Sequence, residues 1–259
     1  MPKTILITGA GSGFGRLAAF DLAQRGHNVI AAVEIWPQVT ALREEAKARK
    51  LTIQVDKMDV TSDSDRALVE RWDLDVFINN AGIMEAGPIA ELPLELLRSM
   101  FEVNFFSSVA LAQRVAAKMV KKRAGRMIFL SSVAGLTTIP YSAGYCATKH
   151  AIESLAEGLR VELAPFGIRV ATVNPGFYDT GFNDRGVDSV MHWYDPSKNF
   201  TRPEAFEVVA QHLSHQLPPQ PIADLVVQVA LAENPPFRNV LPIEIETFIK
   251  QSQLDAWAE

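Results

Sequence analysis

Cysteine is nearly absent: the 259 residues contain one, Cys146, so no disulfide can form within the chain, and a single thiol fits a reducing compartment such as the cytoplasm. Long apolar runs are missing too. No stretch approaches the ~18 residues that a membrane span requires. After Met1, Pro2 and Lys3 the chain enters the short apolar run Thr4-Ile5-Leu6-Ile7 without the segment of a secretory signal. Excess positive charge is lacking, the net charge being −5, which argues against a nucleic-acid partner. Lys118, Lys121, Lys122, Arg123 and Arg126 form the one basic cluster, and it falls where a long helix should end, so it reads as a solvated helix terminus. Repeats, low-complexity tracts and linkers are absent. Asn199-Phe200-Thr201 has the form of a glycosylation acceptor, read as coincidence without an export signal.

What is present is an alternation of short β-branched runs with longer amphipathic ones. Strands are expected at Thr4–Thr8, Asn28–Val33, Thr52–Val55, Val76–Asn79, Arg126–Ser131 and Arg169–Val173, with a weaker one near Val240–Ile243. Helices are expected at Phe14–Arg25, Gln38–Arg49, Glu95–Lys121, Ala151–Leu163 and Ala223–Ala232, and a brief one between Val60 and Asp75. Apolar strands separated by helices predict one α/β domain over 1–259, a doubly wound, Rossmann-like parallel sheet with helices on both faces. The segment 177–221 is irregular and rich in aromatic residues, which suggests a substrate lid.

Directly after the first expected strand come Thr8, Gly9, Ala10, Gly11, Ser12, Gly13, Phe14 and Gly15, followed by a helix. Glycines there let the backbone approach a pyrophosphate, and the helix N-terminus offers N–H groups to its charge. A glycine string becomes strong evidence for dinucleotide binding in this strand-to-helix setting. Glu34, at the end of the second strand, is placed to accept from a ribose 2′-OH and to repel a 2′-phosphate, so NAD is favoured. NADP stays open, with Lys3 and Arg16 as the cations left to receive that phosphate.

Tyr145 and Lys149 stand four apart at the opening of a helix and share one face. A phenol with an ordinary pKa near ~10 needs a neighbouring cation to exchange protons at neutral pH, which an ammonium one turn away supplies. The pair alone is weak evidence, because such spacing is common on exposed helices.

Its company carries more weight. From Lys3 to about Thr180 the chain resembles the single-domain branch of the short-chain dehydrogenase/reductase family, through Thr8–Gly15, Asp59 in MDVT, Asn79–Gly82, Asn104 in FEVN, Ser131–Gly135, Tyr145–Lys149 and Asn174–Gly176. The resemblance implies an NAD(P)-dependent oxidoreductase acting on alcohols or ketones. By the same resemblance Tyr145 is the acid/base, Lys149 lowers its pKa and binds the nicotinamide ribose, Ser132 polarises the substrate oxygen, and Asn104 anchors a water in a proton relay. Asp59 and Val60 would contact adenine, Asn80, Ala81 and Gly82 the adenosine ribose side, and Pro175, Gly176 and Thr180 the nicotinamide end. Tyr141 is a decoy, since the residue four on is Tyr145 rather than a lysine, and family spacing selects Ser132 over Ser131.

The family's usual glycine-rich C-terminal ending is missing. In its place stand Pro235-Pro236-Phe237-Arg238, the strand-like Val240–Ile243 and a helix-like tail. That ending resembles hydroxysteroid- and retinol-dehydrogenase-like members. It weakens the expectation of a tetramer in favour of a homodimer built on Glu95–Lys121 and Ala151–Leu163. A bulky, apolar small-molecule substrate is expected, with Met84, Met191, Trp193 and Tyr194 either lining its pocket or forming a small core of the lid. No metal is expected, since His212 and His215 share helical spacing but lack further ligands. Cys146 reads as a packed residue. The alternatives are dehydratase or epimerase chemistry on the same scaffold, a non-catalytic dinucleotide sensor, or a structural protein that binds no cofactor.

Overall fold

Seven short strands, the central ones mostly apolar on both faces, lie side by side and all parallel in the order β3-β2-β1-β4-β5-β6-β7. They are β1 Thr4–Thr8, β2 Asn28–Val33, β3 Gln54–Lys57, β4 Val76–Asn79, β5 Gly125–Leu130, β6 Ile168–Pro175 and β7 Arg238–Leu241. The computed structural model describes residues 1–207, 214–255, 257 and 258. Alternation along each strand divides the core in two. Ile5, Ile7, Val76, Ile78 and Ile128 face a layer made by α1 (Gly13–Gln24), α2 (Trp36–Ala48) and α8 (Gln220–Leu231). Leu6, Phe77, Met127 and Phe129 face α5 (Ser107–Lys122) and α6 (Ala143–Leu163). This is the expected Rossmann-like sheet with helices on both faces.

β1 pairs with β2 on one side and with β4 on the other. The chain therefore winds away in opposite directions from β1, and a crevice opens beyond the carboxyl ends of β1 and β4 where a ligand can bind.

The structure corrects several expected boundaries. The stretch Glu95–Lys121 is not one helix: α4 (Leu94–Phe101) and α5 are joined by a π-turn at Glu102–Phe106, which contains Asn104. Inserted π-turns widen a helix and recur at functional sites. The third strand begins at Gln54 rather than Thr52, and the seventh ends at Leu241, because Ile243 already opens α9 (Ile243–Asp255). The helix expected from Ala151 starts at Ala143, so Tyr145 lies in its first turn. The short helix expected after Val60 is α3 (Asp63–Arg66), continued by a 3-10 turn at Ala67–Arg71.

The basic cluster is mostly engaged within the protein. Lys118 donates to the Trp72 carbonyl, Lys122 to Asp75 at 2.7 Å and Arg123 to the Pro165 carbonyl at 3.1 Å. Arg126 is not at the helix end: it lies buried in β5 and grips the last carbonyls of α8, including Val229 O at 2.6 Å and Ala230 O at 2.8 Å. A guanidinium there complements the negative end of that helix dipole.

The ends of the expected lid segment are zipped together, Asp179 N donating to Leu217 O at 2.8 Å and Leu217 N to Phe177 O at 3.0 Å. Between them come α7 (Phe182–Asp188) and 3-10 turns at Ser189–His192 and Pro203–Phe206. Tyr194, Phe206 and Tyr141 stack edge to face, with centroids 5.0 and 5.8 Å apart. His212 lies outside the described residues. Among the described residues no helix is long and apolar enough to cross a membrane, and no cluster of three metal-ligating side chains occurs.

Candidate active site

A cleft of about 830 Å³ occupies the crevice at the ends of β1 and β4. Of the site residues expected from the sequence, all border it except Gly15 and Asn104. At one end the chain turns from β1 into α1 with Gly9 at φ +64° and Gly13 at φ +52°, conformations that favour glycine. A Cβ on Gly9 would fall 2.8 Å from Ala81 Cα, and one on Gly15 2.5 Å from Asn80 Nδ2. Gly15 thus serves close packing behind the loop instead of facing the cleft. Asn80 turns its side chain to the carbonyls of Thr8 (2.9 Å) and Gly9 (3.1 Å), and the Thr8 hydroxyl accepts from the amides of Asn80 and Ala81. Its side chain therefore braces the glycine loop, while Asn80, Ala81 and Gly82 all border the cleft.

Ser12 is the N-cap of α1 but makes no side-chain cap, so the first-turn amides remain for a ligand. Phe14 packs edge to face on Tyr178, with centroids 5.8 Å apart. Thr180 stands against Gly13, and a Cβ there would meet Thr180 Cβ at 3.3 Å. Pro175 and Gly176 follow at the end of β6, where Ile245 and Pro242 close behind Gly176. Together the loop, the helix end and the elongated cleft fit a dinucleotide, whose diphosphate would lie on the α1 amides.

Glu34 is exposed at the far rim. Gln38, which belongs to no sequence motif, bridges this corner: its Oε1 accepts from Glu34 N at 3.1 Å, and its amide lies against Gly11. Asp59 accepts from the amide and hydroxyl of Thr61 at 2.9 and 2.7 Å, a local turn that fixes the wall beside Val60. The two cations considered for a 2′-phosphate are placed elsewhere. Lys3 precedes β1, at the opposite end of the sheet, with its Nζ directed to Ala230 O. Arg16 forms an ion pair with Glu45 at 2.5 Å.

At the other end Ser132, Tyr145, Lys149 and Asn104 meet, all of them buried. Tyr145 and Lys149 share a face of α6, the Lys149 Nζ lying 5.7 Å from the ring centre. Lys149 donates to Leu130 O at 2.8 Å. Burial pushes the Tyr145 phenol well above its ordinary value, and the nearby Ser132 hydroxyl pulls it back. Burial lowers Lys149 to about 8, opposed by the charge of Glu153. Ser132 Oγ accepts from Ala134 N at 3.1 Å, whereas Ser131 directs its amide to Val173 O, and its hydroxyl has no partner.

Asn104 accepts from Ile83 N at 2.8 Å and donates to Ile83 O and Thr148 Oγ1, while its own carbonyl, in the π-turn, accepts from Ser108 Oγ at 2.6 Å. A Cβ on Gly82 would be 3.2 Å from Asn104 Oδ1 and 3.8 Å from Lys149 Nζ, so the three converge.

Phe182, another residue without a sequence signal, covers the phenol with ring centroids 5.9 Å apart. Met84 lines the cleft. Met191 is 80% exposed, and Trp193 and Tyr194 belong to the aromatic cluster of the segment expected to be a lid, so that group splits between the pocket and that cluster. Cys146 is buried, its sulfur accepting from Ile139 N, as a packed residue.

This glycine-lined crevice and buried Ser-Tyr-Lys-Asn constellation define a nicotinamide-dependent oxidoreductase, and the chain belongs to the short-chain dehydrogenase/reductase family, whose short chain dehydrogenase model matches residues 3–189. It is 30% identical over 255 residues to the 3-ketodihydrosphingosine reductase of Bacteroides thetaiotaomicron, covering 97% of this chain and 92% of that protein. It is 30% identical over 252 residues to retinol dehydrogenase 8 of Bos taurus, covering 92% and 81%, in line with the expected likeness to retinol-dehydrogenase-like members. Among solved structures, a family member from Burkholderia phymatum in complex with NAD superposes with a TM-score of 0.84 at 24% identity, over 99% of this chain and 95% of that one. Actinorhodin polyketide ketoreductase with NADPH gives 0.77 at 25%, over 93% and 95%.

Proposed function

We propose that the protein transfers a hydride between a nicotinamide dinucleotide and a secondary alcohol or ketone that is bulky and largely apolar. The observation that carries this reading is the convergence of Ser132, Tyr145 and Lys149 on one cleft, with the Lys149 Nζ 5.7 Å from the Tyr145 ring centre. The dinucleotide, when bound, supplies or accepts the hydride. Tyr145 exchanges the proton of the substrate oxygen, as phenolate in oxidation and as phenol in reduction. Ser132 holds the same oxygen where charge develops. Lys149 favours the phenolate by its positive charge and binds the ribose, and Asn104 with Ile83 holds the exit for the relayed proton. Phe182 and the lid exclude water from the reacting atoms.

NAD is the proposed partner, because Glu34 borders the cleft while Arg16 is committed to Glu45. An apolar substrate is supported by Met84, Ile83, Ile139 and Phe182 around the phenol, and by the sphingoid and retinoid names of two relatives. The chain acts as one catalytic domain with 177–221 as its lid. A homodimer is supported by exposed Phe106 and Val161 on the π-turn and α6, and a cytoplasmic setting by the lone thiol. NADH formation screened over secondary alcohols, from small aliphatics to steroids and aryl carbinols, tests the reading. Turnover of none of them, in either direction, would overturn it.

A further inference from the structure

The catalytic helix carries a buried acid to which hydride transfer gives no task. Glu153 follows Lys149 by four residues, as Lys149 follows Tyr145, so the three form a row on one face of α6. Glu153 is 4% exposed, where an unpaired carboxylate is strongly disfavoured. Both of its oxygens are engaged. Oε1 accepts from Asn174 Nδ2 at 2.6 Å and Oε2 from Arg238 Nε at 3.0 Å. The same Asn174 amide donates to the Ser132 carbonyl at 3.2 Å, and its Oδ1 accepts from the Thr172 hydroxyl at 2.9 Å. One chain of hydrogen bonds, buried except at Arg238, therefore joins α6, the end of β5, β6 and β7 behind the reacting groups.

We infer that Glu153 is a positioning residue of the hydride-transfer site: it fixes the Ser132 backbone through Asn174 and supports the Lys149 ammonium by its charge, while Arg238 orients its carboxylate. The inference rests on the roles proposed for Ser132, Tyr145 and Lys149. Other charges around the row are few. On α6 Glu157 faces Arg238 at 3.2 Å, and Cys146 adjoins Tyr145. From β6 come the neutral Thr172 and Asn174, and from β7 Arg238. Among the described residues, the turn Val133–Gly135, α4, α5 and the π-turn bring no charge that acts on Lys149, whereas Glu153 does. A carboxylate in that place counteracts the burial that would otherwise discharge the lysine, and a neutral lysine gives the phenolate no support.

The test compares the wild type with Glu153→Gln/Arg238→Gln, a neutral pair that leaves no buried charge unmatched. Arg238→Gln alone keeps the carboxylate, and Glu157→Gln removes a charge outside the network. Melting temperature, NADH binding by fluorescence, kcat, the pH profile of alcohol oxidation and the Lys149 titration by 15N NMR are measured. For the double variant kcat should fall ~10-fold or more, and the rising limb of kcat/KM should move up by about one pH unit. NADH affinity should stay within about threefold, and Lys149 should titrate at lower pH. Arg238→Gln should keep the limb in place, and Glu157→Gln should behave as wild type. A double variant with wild-type kcat, limb and Lys149 titration overturns the inference. So does one that loses kcat, NADH affinity and melting temperature together with no movement of the limb or of Lys149. If the wild type turns over no alcohol or ketone, the parent reading fails, while the Lys149 titration still decides whether Glu153 governs that charge.

Discussion

Lys149 Nζ lies 5.7 Å from the centre of the Tyr145 ring while it donates to Leu130 O at 2.8 Å. The helix that carries the phenol is thereby tied to the end of β5, the strand that delivers Ser132. Ser132, just beyond that strand, and Tyr145 on the helix border the same cleft.

Replacing the phenol separates chemistry from binding. Tyr145→Phe should abolish turnover and leave NADH affinity, read by fluorescence, within about twofold, since only the proton-transferring oxygen is lost.

The adjacent serines should differ sharply. Ser132→Ala is expected to lower kcat by ~100-fold or more, as for loss of a donor at a developing oxyanion. Ser131→Ala should stay near wild type, because its hydroxyl has no partner. Steady-state kinetics of the two variants decides, and the reverse order would transfer the role to Ser131.

Burial of Lys149 implies a pH-dependent stability. Its pKa is 10.5 when unfolded and about 8 in the fold, so the folded state binds fewer protons between those values. Stability then rises with pH over that window, and below it the buried charge costs up to about 3 kcal/mol. Lys149→Met should therefore melt several degrees higher at pH 7, with the advantage gone by pH 10.5. Melting curves of both proteins across this range check it. Above pH ~10 the buried Tyr145 acts in the opposite sense: its folded-state pKa is raised, so the unfolded chain loses that proton first and stability falls.

The proposed preference for NAD rests on Glu34. Wild-type kcat/KM should be higher with NAD than with NADP, and Glu34→Ser should narrow the gap by removing the charge opposite a 2′-phosphate. A wild-type preference for NADP would refute this.

Glu91 ties down the proposed lid, accepting from Asn199 Nδ2 at 3.0 Å, Phe200 N at 2.7 Å and Thr201 N at 3.0 Å. Glu91→Ala should raise KM for a bulky substrate by roughly 3- to 10-fold with little change in kcat, the pattern of a loosened lid rather than a damaged centre.

The sheet was legible because parallel strands covered on both faces write themselves as apolar runs; Thr4–Thr8, Asn28–Val33 and Val76–Asn79 match to the residue. The π-turn around Asn104 was not, since one extra residue in a helical turn leaves the apolar period nearly intact. Lys3 misled because nearness in sequence to Gly9 hides the length of the intervening strand. Glu153 and Arg238 are separated by 85 residues, and Glu91 and Thr201 by 110, so only the folded chain shows these pairs. Gln38 and Phe182 carry no motif of their own. They acquire significance from lying against Gly11 and Tyr145.

The brace from Asn80 to the Thr8 and Gly9 carbonyls has a thermodynamic consequence. A loop already stitched to the end of β4 loses little conformational freedom when a ligand arrives, so little of the affinity is consumed in ordering it. Preorganisation at this end of the cleft therefore draws on the Asn80 amide side chain, and its removal should be felt as a more unfavourable entropy of dinucleotide binding.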